Sequence, residues 1–409
     1  MSLVACHECD LIHRIGPVPQ GSAARCCRCG ALLSQDKPNS LERTLALTVA
    51  GLILFIVANA FPFLGFKLQS QVHKTLLITG VQELFHQGMW ILATVVLLTT
   101  IVLPALQMLG LLYVLVPLRF NRIPWKLKEV FRFIQSIRPW AMMEVFMLGI
   151  LVSVVKLSKM ATIIPGIAAF AFMPLIFILA ASLVVLDSHA VWERIKIQES
   201  TQGTPVAGIN LVSCHTCHLL CNLPSQGDHD LSCPRCGSPL HRRKPNSIAR
   251  TWALILAAAI FYIPANVLPI TIVTSLGKKQ TDTIISGVIY FISSGMWPIA
   301  LVIFVASVFV PLLKLLALSY LSFTVQRKSR WRPLDRTKLY RMTEVVGRWS
   351  MVDVYVVTIL VALVNLGALA TIDAGPAAVY FCGVVIITMF AAMSFDPRLI
   401  WDNYEAKHE

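Results

Sequence analysis

The chain has 409 residues, 56% of them apolar and only 14% charged, with a formal net charge of +14. A soluble domain carries about 25% charged residues, so an ordinary globular protein is excluded and a polytopic membrane protein is indicated. The positive charge is no nucleic-acid signal by itself, because it is dispersed over short segments between apolar runs.

Residues 1–36 contain Cys6-x2-Cys9 and Cys26-x2-Cys29. Four thiolates from two knuckles satisfy a tetrahedral zinc ion, and residues 10–25 between them suffice for a small β-hairpin ribbon. No apolar signal-peptide core is visible in residues 1–40. The ribbon is therefore expected in the cytosol, where thiols stay reduced and bind metal instead of forming disulfides. An iron site of rubredoxin type uses the same ligands. It needs a shell that shelters the iron, and residues 1–36 contain no Phe, Tyr or Trp. Cys27, Cys221 and Cys382 are expected to be bystanders or core, and His7, His215 and His218 to face solvent.

Uncharged apolar runs follow at 44–64, 90–118 and 160–186, with a further span at 141–160 that carries Glu144 and Lys156. Between them lie an outer segment (65–87), expected to hold short helices on the outer face, and a basic amphipathic loop with Trp125, Phe131 and Phe133. That loop reads as an interfacial segment on an anionic inner leaflet, or as plain positive-inside topology. Lys156 and Lys159 are expected to snorkel outward.

The whole pattern then repeats. A second ribbon, Cys214-x2-Cys217 and Cys233-x2-Cys236, precedes runs at 251–277, 283–313, 354–372 and 374–395. Lys37–Ser40 and Lys244–Ser247 are the same tetrapeptide. Asn59 matches Asn266, Pro62 matches Pro269, Gly88-Met89-Trp90 matches Gly295-Met296-Trp297, and Pro104 matches Pro311. Trp140, Asp187 and Trp192 match Trp349, Asp396 and Trp401. Taken singly, each Trp is an interfacial anchor and each Pro a helix bend. Asn59 and Asn266 are expected to cap broken backbone at the outer helix ends.

Eight spans in two parallel four-helix modules follow. The expected domains are ribbon 1–36, module 41–192, ribbon 207–243, module 248–401 and tail 402–409. The fold class is all-α and polytopic, with two small β-rich ribbons. Of the 35 Lys and Arg, 28 fall in 1–43, 119–138, 187–250, 327–348 and 398–409. By the positive-inside rule these segments, both ribbons and both termini are cytosolic.

Ionisable groups inside a membrane indicate function by default. Lys314 lies about 18 Å from the cytosolic end of its span at the helical rise, too deep for easy snorkelling. Ser307 shares its face, Asp353 and Ser350 stand on the next helix, and Thr388 is a third wall. Lys314 and Asp353 are expected to face one another and hold or relay a proton. The bland alternative is a static buried ion pair that fixes packing. In the first half the matching positions are Gln107, Thr100, Glu144, Ala141 and Leu179, so the second half reads as the chemically active one. The sequence has no phosphate loop, no nucleophile elbow and no His-Glu-x-x-His, so no enzyme activity is expected. The ribbons lack a basic stripe with interleaved aromatics, so no nucleic-acid partner is expected.

The duplicated ribbons, the Lys-Pro-Asn-Ser stretches, the Asn-x-x-Pro helix ends, the Gly-Met-Trp pairs and the ending Phe395–Trp401 together resemble the paraquat-inducible protein A family, with its LetA-like branch nearest. The resemblance covers nearly the whole chain. It implies a bacterial inner-membrane protein that works with an MCE-domain periplasmic tunnel partner and handles phospholipid. It also implies tetraspanin-like modules, two zinc ions, and a polar cluster at Ser307, Lys314, Ser350, Asp353 and Thr388. Other readings are a small-solute transporter, a non-transporting scaffold for a tunnel, and an iron-ribbon redox protein. Metal analysis, partner identification and substitution of Lys314 separate them.

Overall fold

The computed structural model describes residues 2–16, 18–68, 71–157, 162–195, 211–222, 231–275, 278–295, 297–363 and 370–405. The Lys156 side chain and Lys159 lie outside what is described, as do residues 196–210 between the halves. Among the described residues, eight helices are long and apolar enough to cross a membrane, and the fold is mostly helical.

The first ribbon consists of two hairpins, β1 (Ser2–Ala5) with β2 (Ile12–Ile15), and β3 (Ala23–Arg25) with β4 (Leu32–Gln35). Helix α1 (Ser40–Ala60) then starts the membrane part. Asn39 enters it in the left-handed conformation, φ 53°, which Asn tolerates better than most residues. The Lys37 ammonium reaches back to the Val184 carbonyl at the end of the last long helix of this half. Lys244 makes the matching contact with Met393 O, at 2.7 Å, and Asn246 has φ 51°. Lys-Pro-Asn-Ser is thus a helix entry combined with a clamp on a neighbouring helix end.

The outer segments contain more β structure than expected. Strands β5 (Leu64–Leu68) and β6 (Gln71–Thr75) form a hairpin, followed by α2 (Leu77–His86). Gly88, φ 78°, closes α2 with bonds from Gly88 N to Phe85 O and from Met89 N to Leu84 O. This is the left-handed helix stop that glycine allows. Trp90 then opens α3 (Trp90–Leu97) and is largely exposed, as an interfacial anchor would be. A π-helical turn at Leu98–Val102 joins α3 to α4 (Leu103–Arg119). Pro104 at the start of α4 lacks an N–H, which loosens the ladder there.

Two helices follow where an interfacial loop and one span were expected. They are α5 (Leu127–Ile137) and α6 (Met143–Leu157). Helix α5 buries Leu127, Phe131 and Ile134 in protein, against α4. Its apolar face therefore meets protein, and Trp125 and Phe133 remain exposed. Strand β7 (Thr162–Pro165) adds to β5, completing a three-stranded sheet of order β6-β5-β7. Helix α7 (Ile167–Val185) packs along α1, and α8 (Ser188–Glu193) ends the half.

The second half presents the same order. The second ribbon holds β8 (Leu211–Ser213) and β9 (Leu220–Asn222). Then come α9 (Ser247–Val267), β10 (Thr271–Ser275), β11 (Lys278–Asp282), α10 (Ile284–Ser293) and α11 (Trp297–Phe304). A π turn at Val305–Phe309 leads into α12 (Val310–Gln326). Helices α13 (Pro333–Trp349) and α14 (Val352–Leu363) form the next span, and β12 (Ala370–Ala374) pairs with β10. Helices α15 (Ala377–Ser394) and α16 (Leu399–Glu405) finish the chain.

Asn59 and Asn266 donate to the carbonyls four residues back, Phe55 O at 2.8 Å and Tyr262 O at 2.9 Å. The two halves meet mainly through α14, which packs on α6 and α2. Tyr355 fills that seam: its hydroxyl donates to Thr99 Oγ1 at 2.9 Å and its ring lies edge-on to Phe146.

Candidate metal centres and buried polar cluster

All four knuckles share one local geometry. The residue after each second cysteine has positive φ (Asp10 62°, Gly30 73°, His218 57°, Gly237 72°) and donates its N–H to the first cysteine's carbonyl. The first cysteine's N–H bonds in turn to the residue beyond, as in Cys6 N to Leu11 O at 3.0 Å and Cys233 N to Ser238 O at 2.8 Å. The loop so formed turns both thiols to one point. Cys6, Cys9, Cys26 and Cys29 have Sγ atoms within 4.8 Å of one another, and so do Cys214, Cys217, Cys233 and Cys236. None forms a disulfide and all eight are buried. Zn–S bonds of about 2.3 Å place tetrahedral sulfurs about 3.8 Å apart. The observed Cys6–Cys29 and Cys214–Cys236 contacts are both 3.4 Å. The donor sets fit a tetrahedral ion of the zinc type.

Each ribbon precedes one half and packs on the other. The cysteines of the first ribbon cluster with Leu321, Val325, Tyr340, Phe395, Ile400 and Trp401. Arg341 of α13 grips Glu8 with both Nε and Nη2 and also donates to Cys29 O at 2.8 Å. Arg243 joins Asp10 to Asp402. The cysteines of the second ribbon cluster instead with Leu111, Leu115, Phe131, Val191 and Trp192 of the first half. The rings of His7 and His218 meet where the ribbons touch, 5.9 Å between centroids. The aromatic shell missing from residues 1–36 is therefore supplied by the second half, so a bare ribbon is no argument against iron. Cys27 is exposed, and Cys221 and Cys382 are buried.

At the second ribbon's border, Asp396 accepts from Lys244 N at 3.0 Å and from Arg398. Burial alone would raise its pKa, but the Arg398 guanidinium and the backbone donors outweigh burial and hold the carboxyl below its usual range.

The five polar positions in the second half are all buried: Ser307, Lys314, Ser350, Asp353 and Thr388. Lys314 Nζ donates to Thr388 Oγ1 at 2.8 Å and reaches Gly347 O at 3.5 Å. The bonds of the ammonium among the described residues thus go to a hydroxyl and a carbonyl. Most of residues 327–348, read from sequence as a basic cytosolic segment, belong to helix α13, which runs directly into the span, and Gly347 arrives beside Lys314. A Cβ on Gly347 would lie 3.2 Å from Lys314 Nζ. Ser307 sits in the π turn and donates to Ile303 O at 2.7 Å. Such turns are often found at functional sites. Ser350 Oγ has no hydrogen-bond partner among the described residues. In the first half Gln107 occupies the Lys314 position, buried, with Oε1 unpartnered among the described residues.

The sequence model described as "Paraquat-inducible protein A" matches residues 41–196 and again 248–405. The chain is 34% identical over 416 residues to "Intermembrane transport protein PqiA" of Escherichia coli (strain K12), covering 99% of this chain and 97% of that protein. It is 30% identical to "Lipophilic envelope-spanning tunnel protein A" of the same strain, covering 98% of this chain and 91% of that protein. It is 28% identical to "Probable intermembrane transport protein" of Haemophilus influenzae, covering 98% and 96%. No solved structure matches. On these full-length matches and the family match to both halves, the chain belongs to the paraquat-inducible protein A family.

Proposed function

We propose that the protein is a multi-pass inner-membrane component of an intermembrane transport system, moving phospholipid between that membrane and an MCE-type periplasmic tunnel partner. The observation that carries this reading is the end-to-end similarity to proteins named for intermembrane transport. Both ribbons and both termini face the cytosol in this reading, because 28 of the 35 Lys and Arg lie on that side. Each ribbon holds one zinc ion.

The second half carries the coupling chemistry. Lys314 is enclosed, 2% exposed, with one hydroxyl and one carbonyl for partners. An ammonium buried this deeply is costly, which favours a role beyond packing. Ser307, Ser350, Asp353 and Thr388 complete the polar cluster, which couples a protonation change to opening of a lipid path.

The test is Lys314→Met, an apolar side chain of similar length. Methionine fills the same space and removes the cost of burying a charge. Membrane abundance and partner binding should therefore persist while lipid transfer drops at least about ten-fold, a loss of roughly 1.4 kcal/mol in transition-state terms. Transfer at the wild-type rate would assign Lys314 to packing alone. Failure of any MCE-type protein or phospholipid to co-purify with the wild type would overturn the wider reading.

A further inference from the structure

A cavity of about 690 Å³ opens where the two ribbons meet the first half. That is the size of a small-molecule site. Lys37, Arg132 and Arg138 line it, with imidazoles from His189, His215 and His218, and among its described lining residues Asp187 is the one carboxylate. Its apolar wall includes Leu32, Leu33 and Trp192.

Comparison with the second half shows why the cavity stays open. Arg341 is the counterpart of Arg132, and Glu8 of the first ribbon closes on it with two hydrogen bonds from Nε at 2.9 Å each. The residue at the Glu8 position in the second ribbon is Thr216, whose hydroxyl bonds Ser238 at 3.0 Å. Arg132 therefore meets no ribbon carboxylate, and among the described residues no ion pair or hydrogen bond involves it. Trp401 repeats the contrast: its Nε1 donates to Thr337 at 3.0 Å. Its counterpart Trp192, 2% exposed, also lines the cavity, and its enclosed Nε1 has no acceptor among the described residues. One half closes on this arginine with a carboxylate, and the other leaves the guanidinium beside an open space.

We infer that this cavity binds a phosphate-bearing anion, held by Arg132 with Lys37 and Arg138. Arginine pairs phosphate in bidentate fashion. Basic pockets at the cytosolic ends of membrane helices suit anionic lipid head groups, and Lys37 already rests on the end of α7 through the Val184 carbonyl. A free phosphate compound offers the same chemistry. Only the lipid source rests on the cytosolic orientation proposed above; the anion site does not.

The experiment uses the full chain in nanodiscs. One arm titrates phosphatidylglycerol into phosphatidylcholine discs and counts bound lipid by native mass spectrometry. The other adds inorganic phosphate or glycerol 3-phosphate to phosphatidylcholine discs and follows binding by calorimetry. Both arms are run on the wild type, on Arg132→Gln, and on Thr216→Glu, which installs the carboxylate that closes the second half. Retained zinc content certifies the fold of each variant. Arg132→Gln breaks no described contact, so it decides the matter if Thr216→Glu fails to fold. The expected result is saturable binding that weakens at least ten-fold in both variants. Phosphatidylglycerol binding names the lipid, and binding of the soluble compound alone names a free phosphate. No saturable binding in either arm, or equal binding by wild type and Arg132→Gln, overturns the inference. Lipid transfer is not measured here, so failure of the transport reading would leave this result standing, and the reverse holds too.

Discussion

At the scale of single residues, small side chains at crossings determine what the larger ones can do. Gly347 leaves room for the end of Lys314, since a Cβ there would come within 3.3 Å of Cε as well as 3.2 Å of Nζ. Gly347→Ala should push the ammonium from Thr388 without altering any charge. Overpacking of this kind costs about 1–3 kcal/mol. The expected outcome is lowered lipid transfer with near-normal abundance, whereas Leu, which cannot fit, should also lower abundance. Equal transfer by Gly347→Ala and wild type would show that the exact seat of Lys314 is immaterial. Sequence placed Thr388 near Lys314, because helix spans and their order suffice for that. It did not place Gly347 there, because the basic residues 327–348 read as a cytosolic segment outside the spans, while α13 buries Arg336, Thr337, Tyr340 and Thr343 along one side.

Among the elements, the ribbons were the most legible. Cys-x-x-Cys spacing dictates the knuckle turn, and the positive-φ residue after it follows from that turn. The outer sheets were not legible. Strands of four or five residues give too short an alternation to detect. Their third members, β7 and β12, arrive from beyond two further spans, so pairings such as Thr271 with Ala374 are wholly non-local. The two π turns fall at matching places, Leu98–Val102 and Val305–Phe309, each just before a proline. The sequence signalled the bend but not its π character. A prediction about the metals belongs at this scale. Two zinc ions per chain are expected by elemental analysis of the purified protein, falling to one in Cys9→Ser or Cys217→Ser. Iron in place of zinc would return the aromatic shell of Tyr340, Phe395 and Trp401 to prominence as the shelter of a redox centre.

For the whole molecule, the crossing of the ribbons is the feature that no local pattern announces, because it joins residues as far apart as Glu8 and Arg341. Its consequence is that the metal-binding cysteines of each ribbon pack on the half that the ribbon does not precede. The first ribbon's cysteines lie against Phe395 and Trp401, and the second ribbon's against Phe131 and Trp192. A half expressed alone would expose both its ribbon's apolar side and the apolar end of its helices. Exposed patches of that kind favour association or aggregation. Two chains, cut within residues 196–210 and co-expressed, should therefore assemble, since the ribbons and the α6–α14 seam both hold them. Deleting both ribbons leaves the seam, with Tyr355 on Thr99, and should reduce the co-purified yield several-fold without abolishing it. Deleting only the first ribbon should destabilise the second half, to which it is not covalently attached in this format. The measurement is thermal stability of each purified pair. If loss of the first ribbon instead lowers the stability of the first half alone, each ribbon serves the module it precedes, and the crossed arrangement contributes nothing to holding the halves together.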